Sequence, residues 1–208
     1  IGKLRSGILS ETEEKETVSA ISELIEYYKG IFTILSSCAS RQLEEVTFRR
    51  GIIFVPELFA LAEKYFRKAN KGKEFAVSFS TRAIDERVVG DFIQLRFLLE
   101  NLIDEALSVP LDGEIHLVAA VDGEYIRFLF TDTRRTKTRE ELNQLFYPNL
   151  ERMTATGEKG ELRGTEYLVC KQIIRDHDEF AGKRGCRINA EPAENGGFTV
   201  YFTIPRRK

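Results

Sequence analysis

The chain lacks any apolar run long enough to cross a bilayer; its longest runs are strand-sized, so neither a transmembrane helix nor a signal peptide is expected. It has few cysteines. Cys38, Cys170 and Cys186 are odd in number and far apart, without CxxC or Cys/His spacing, which argues against a disulfide framework or a zinc site and for a reducing cytoplasm. It lacks a dominant charge: 31 basic against 33 acidic residues give a formal net charge of −2, so no general electrostatic argument favours nucleic acid or an anionic membrane. No repeat of 20 to 50 residues and no low-complexity stretch occurs. The only methionine is Met153 and the chain begins at Ile1, so it is expected to be a piece of something longer, with any sensor or membrane region outside it.

What is present is a globular composition. At 42% hydrophobic and 31% charged, 208 residues can hold one domain with a full core plus an appended helical element. Residues 11–45 are helical in pattern: Val18, Ile21, Ile25, Tyr28, Phe32, Leu35 and Ala39 recur at steps of three and four, a heptad-type seam. Leu24, Ile31 and Ile34 widen that face, and Glu11, Glu13 and Glu14 sit where the helix dipole favours negative charge. Such a face needs a cover, either the domain behind it or a helix of a partner or second subunit.

Beyond residue 45 the period changes. Residues 46–55 read as a strand interrupted at Gly51, and Pro56 opens a helix over 56–71, as proline does at a first helical position. Residues 74–80 alternate as a half-buried strand, 91–108 form a strongly amphipathic helix stopped by Pro110, and 114–121 and 125–131 are strands joined by Asp122-Gly123, a two-residue hairpin signal. A short helix over 138–145, a polar loop over 149–163, a helix over 165–176 and strands near 187–190 and 198–204 complete an α+β, two-layer fold: a mixed sheet with helices on one face. The expected domains are 1–45, helical, and 46–208, the sheet domain.

Four blocks in the second half carry the chemistry: DFIQLRFLLENLIDEA over 91–106, FTDTRRTKTREELNQLFYP over 130–148, GTEYLVCKQII over 164–174 and GGFTVYFTIP over 196–205. Their order and spacing resemble the C-terminal core of a sensor histidine kinase, from about residue 30 to the end. That core is the end of a dimerisation and phosphotransfer hairpin followed by an ATP-binding domain of the gyrase, Hsp90, histidine kinase and MutL (GHKL, or Bergerat-fold) superfamily. LSSCASRQL over 35–43 is similar to the end of the second hairpin helix, and the four blocks to the N box, the first glycine box joined to the F box, the second glycine box and the closing strand.

The resemblance implies ATP and Mg²⁺ as cofactors, a homodimer formed through the N-terminal helix and a response regulator as partner. It implies Asp132 as the acceptor for the adenine amino group, Asn101 as the N-box residue that positions the reacting water or phosphate, and Gly164 at the phosphates. Glu105 stands where the metal-binding asparagine belongs; a carboxylate can ligate Mg²⁺ but adds negative charge beside a triphosphate. Arg134 and Thr136 replace glycines of the first glycine box, and Leu162 and Glu166 those of the second. Large side chains there should block the pocket or reroute the loop, while Glu166 would satisfy the helix dipole itself and repel phosphate.

The residues also have plainer readings. Asp132 can cap a turn, Asn101 and Glu105 can be polar helix surface over a filled pocket, and Arg134, Arg135, Lys137 and Arg139 read as a solvated loop face or as a site for an acidic partner or phosphate. His116 reads as packing and His177 as structural, and no SHELRTP-like phosphoacceptor motif occurs. Three functions fit: a histidine-kinase core with a degenerate site acting as a signalling module, an active histidine kinase with Glu105 on the metal, and an inert dimerisation domain. The glycine losses favour the first.

Overall fold

The computed structural model describes residues 48–147, 166–194 and 196–207. The heptad seam of 11–45, the loop over 149–163 and Gly164 lie outside the described residues.

The order of elements is β1 (Arg50–Phe54), α1 (Val55–Ala69), β2 (Val77–Arg82), β3 (Arg87–Asp91), α2 (Phe92–Leu107), β4 (Gly113–Asp122), β5 (Tyr125–Asp132), α3 (Arg139–Asn143), α4 (Glu166–Phe180), β6 (Ile188–Pro192) and β7 (Phe198–Pro205). Five strands form one sheet in the order β2-β4-β5-β7-β6; β2 runs parallel to β4 and the remaining pairs are antiparallel. A second, two-stranded antiparallel ribbon pairs β1 with β3, setting Arg50 opposite Asp91 and Gly51 opposite Gly90.

Period-two alternation gives the large sheet one buried face. Ile115, Leu117 and Ala119 of β4, Ile126, Phe128 and Phe130 of β5, and Val200, Phe202 and Ile204 of β7 point into the core. There they join Leu58, Phe59, Ala62 and Phe66 of α1, Leu95, Leu98, Leu99, Leu102 and Ile103 of α2, and Cys170, Ile173 and Ile174 of α4 in one buried cluster. Phe128 and Phe202, paired across neighbouring strands, stack with ring centroids 4.8 Å apart. The α+β, two-layer expectation holds, with the helices on one side.

The ribbon strand β3 was absent from the sequence reading because RVVGD is short and ends in the N-cap of the next helix: the Asp91 carboxylate accepts from the amides of Ile93 at 2.9 Å and Gln94 at 3.1 Å. Gly51 does not interrupt β1 but pairs in register within it. Gly90 is required opposite, since a Cβ there would come within 2.8 Å of the His177 ring.

His177 is fully buried inside α4, which extends to Phe180 rather than ending near residue 176. Its Nδ1 lies 2.8 Å from the Ile173 carbonyl and its Nε2 accepts from the Asp91 amide at 3.0 Å. An amide pointing at Nε2 leaves the proton on Nδ1, so the ring is neutral. Burial lowers its pKa; the Ile173 carbonyl and the carboxylates of Asp91 and Asp176 only partly offset this. His177 is thus structural, as its place in the sequence suggested. His116, expected to be packing, instead lies half-buried on the open face of the sheet, its Nδ1 2.6 Å from Ser80 Oγ and its Nε2 3.3 Å from a Glu114 carboxylate oxygen. β4 places it in the opposite phase from Ile115 and Leu117, which is why it does not pack in the core.

Candidate functional site

Asp132 is the last residue of β5 and continues the inward phase of Ile126, Phe128 and Phe130. Alternation therefore drives a carboxylate under the helical layer, where it is 1% exposed. A buried charge needs partners of opposite sign and full hydrogen bonding, and the next residues of the chain supply them.

Arg134 turns back on Asp132. Its amide and its Nε donate to Oδ1 at 3.0 and 2.8 Å, and its Nη2 donates to Oδ2 at 2.9 Å. The far edge of the guanidinium donates to the carbonyls of Ala106 at 2.7 Å, from Nη2, and Leu111 at 3.1 Å, from Nη1. The Arg134 side chain is 0% exposed. Room for its stem comes from Gly113: with φ +137°, it would place a Cβ 2.7 Å from Arg134 Cγ.

Arg135 bridges two acids. Its Nε donates to Asp132 Oδ2 at 2.9 Å, while Nη1 and Nη2 form a fork on Glu105 at 2.9 and 2.6 Å. Tyr167, in the first turn of α4, donates its hydroxyl to Glu105 Oε2 at 2.6 Å. Burial lowers the affinity of Arg135 for its proton, but the Glu105 hydrogen bonds and charge more than reverse this and its pKa is raised. Burial raises the Tyr167 pKa well above the ordinary phenol range, and the Glu105 charge raises it further. Phe198 floors the cluster, with the Arg135 guanidinium 5.4 Å and the Lys137 ammonium 5.3 Å from its ring centroid.

The formal charges of Asp132, Glu105, Arg134 and Arg135 cancel, which is what lets all four lie under a helical layer. Asp132 accepts four hydrogen bonds, about the full capacity of a carboxylate. The cluster joins β5, the end of α2, the following loop at Leu111 and the start of α4.

The expected site residues therefore divide. Asp132 and Glu105 come together, through Arg135. Asn101 does not join them: its Nδ2 donates to the Phe97 carbonyl one turn back at 2.7 Å, and among the described residues no hydrogen bond links it to the cluster. Gly164 lies outside the described residues. Glu166 opens α4, where negative charge suits the dipole. The solvated-loop reading is corrected for Arg134, whose side chain is buried, and Arg135, which is half-buried, both being ion-paired; Arg139 is exposed at the start of α3. Sequence reading missed Tyr167 and Phe198. The available signal was two arginines directly after an inward-phase aspartate, a pattern that invites local ion pairing. Among the described residues no group of three or more His, Cys, Asp or Glu is arranged to hold a metal ion, and no helix is long and apolar enough to cross a membrane.

Residues 90–208, more than half the chain, match the family described as histidine kinase-, DNA gyrase B- and HSP90-like ATPase. The chain belongs to this family. Its architecture is that of a GHKL-type histidine kinase ATPase domain, as solved structures also show. The catalytic domain of the histidine kinase ThkA is similar at 21% identity and a TM-score of 0.58, over 76% of this chain and 96% of that one. ThkA in complex with the response regulator protein TrrA is similar at 19% identity and 0.62, over 99% and 55%. Full-length ShkA in complex with AMPPNP is similar at 16% identity and 0.63, over 94% and 39%. At these identities the likeness is one of fold. No curated protein matches the chain by sequence.

Proposed function

We propose that this histidine kinase-like ATPase domain belongs to a two-component signalling protein, that its nucleotide site binds ATP and Mg²⁺ weakly or not at all, and that it serves mainly as a signalling and interaction module. The observation carrying this reading is the saturation of Asp132: four hydrogen bonds from Arg134 and Arg135 leave its carboxylate no free acceptor for an adenine amino group. Glu105 is equally engaged. Both its oxygens receive Arg135 and one also receives Tyr167, so a divalent cation would have to displace a half-buried, ion-paired guanidinium of the same charge sign. The residues present therefore fit neither group well.

Within this reading residues 1–45 are a dimerisation segment, making a homodimer, and a response regulator is the partner. The heptad seam supports the first; the second is supported by the complex of ThkA with TrrA. The competing reading is an active histidine kinase with Glu105 on the metal, Asn101 at the reacting phosphate and Gly164 at the phosphates. Calorimetric titration with AMPPNP, with and without Mg²⁺, separates them. The expected result is no measurable heat of binding at micromolar nucleotide; micromolar affinity that depends on Mg²⁺ sinks the degenerate reading.

A further inference from the structure

We infer that Arg134 is a built-in ligand: its guanidinium fills a slot specific for a planar cation with N–H donors on two edges, the guanidine and amidine class, and holds the surrounding elements together without any diffusible molecule. This deepens the reading above, on which it rests, by naming what occupies the site and the chemistry the site selects.

Three features carry it. The first is the acceptor pattern. Asp132 faces one edge of the guanidinium and the carbonyls of Ala106 and Leu111 face the other, at 2.7 to 3.1 Å. Four of the five N–H groups of Arg134 can be satisfied at once in one plane, which an ammonium, with its donors on a single atom, cannot do across that span. The second is the fit of the stem: Gly113 is held at φ +137° where any Cβ would strike Arg134 Cγ, so the backbone is shaped around this side chain. The third is connectivity. One side chain reaches β5, the last turn of α2 and the loop leading to β4, and its neighbour Arg135 extends the link through Glu105 to Tyr167 of α4. A loop arginine making only surface contacts would show none of these.

The consequence is a site whose order is independent of nucleotide concentration. Elements that a bound molecule would otherwise have to draw together are already drawn together by two consecutive residues of the chain, whose tethering removes the translational cost of association.

Chemical rescue tests this on the whole chain. Arg134→Gly removes the side chain, and n-propylguanidinium is the piece removed. We expect the variant to melt on the order of 10 °C below the wild type, as for loss of one partner from a buried ion pair in a chain of this size. n-Propylguanidinium at tens of millimolar should recover at least about half of that loss, while n-propylammonium at equal concentration recovers none and the wild type responds to neither. Equal recovery by the two cations, or no recovery in a variant that melts cooperatively, overturns the inference.

Should Arg134→Gly not fold, Arg134→Lys decides. It keeps the charge and the stem, and is expected to lose several degrees because an ammonium cannot span both edges; a lysine variant as stable as the wild type overturns the inference. The two readings fail separately. Micromolar AMPPNP binding by the wild type defeats the preceding proposal and leaves the rescue result standing. Failed rescue in a folded variant defeats this inference, whether or not the wild type binds nucleotide.

Discussion

Two buried polar clusters tie α4 to the rest of the fold, and they solve the same problem by opposite means. At the first turn of α2, Asp91 and His177 join β3, α2 and α4 through a neutral imidazole and backbone amides. At the last turn, Glu105, Asp132, Arg134, Arg135 and Tyr167 join α2, β5 and α4 through a closed set of charges. The first cluster is modest, since each amide needs only one acceptor. The second is self-consistent only as a whole: removing any ion strands its partner in a low-dielectric interior. The ionic cluster should therefore be brittle to single substitutions and tolerant of matched ones, and the neutral cluster should respond chiefly to pH.

The largest expected effect is at Arg134. Arg134→Leu should cost about 3 to 5 kcal/mol by leaving Asp132 underpaired, whereas Arg134→Leu combined with Asp132→Leu should recover most of the loss, because replacing both partners by apolar groups is commonly near neutral. Urea unfolding of the four proteins in the cycle measures this; additive losses would show the two residues to be uncoupled. Next is Gly113→Ala, which meets both an unfavourable φ and the Arg134 stem 2.7 Å away. A loss of about 2 kcal/mol is expected, and it should shrink when Arg134 is also truncated.

Tyr167→Phe should cost about 1.5 kcal/mol, the value of one hydrogen bond to a charged acceptor, with no change in the fold's far-ultraviolet spectrum. The smallest effect belongs to the neutral cluster. The His177 pKa is lowered in the folded state, so the unfolded chain binds the proton more readily. Stability is then full above the unfolded value of about 6.5 and falls as pH drops through it toward the folded value. Unfolding measured at pH 7.5 and 5.5 should show a loss of up to about 1.4 kcal/mol, and His177→Gln should flatten that slope. An unchanged slope would assign the titration elsewhere.

The fold was legible where periodicity was strong. α2, β4, β5 and β7 were bounded to within a residue or two because each carries an unbroken apolar period and a clear stop, such as Pro110 or Asp122-Gly123. β3 was not, since five residues ending in a capping aspartate hold too short a period. Asp132 was singled out by its place in the first glycine box, and the alternation of β5 carries it into the interior. For Arg134 a blocked pocket or a rerouted loop was expected, but the pairing of Arg134 and Arg135 with Asp132 and Glu105 was not, because a basic run in a loop has the same composition whether it faces water or turns inward. His116 was misplaced for a related reason: apolar sequence neighbours lie on opposite faces of a strand.

By itself the sequence determined the family, the two-layer architecture and the phase that sends Asp132 inward, since these follow from local periodicity and the order of blocks. Only the tertiary structure decided what meets that carboxylate. Its partners Arg134 and Arg135 are held in place by the Ala106 and Leu111 carbonyls and by Glu105, itself bonded to Tyr167, groups 21 to 35 positions from Asp132 along the chain. Whether they converge on an empty pocket or on an arginine pair depends on the path of the turn after β5, and that path is set by charge cancellation in a buried space, which two consecutive arginines invite but do not fix by themselves.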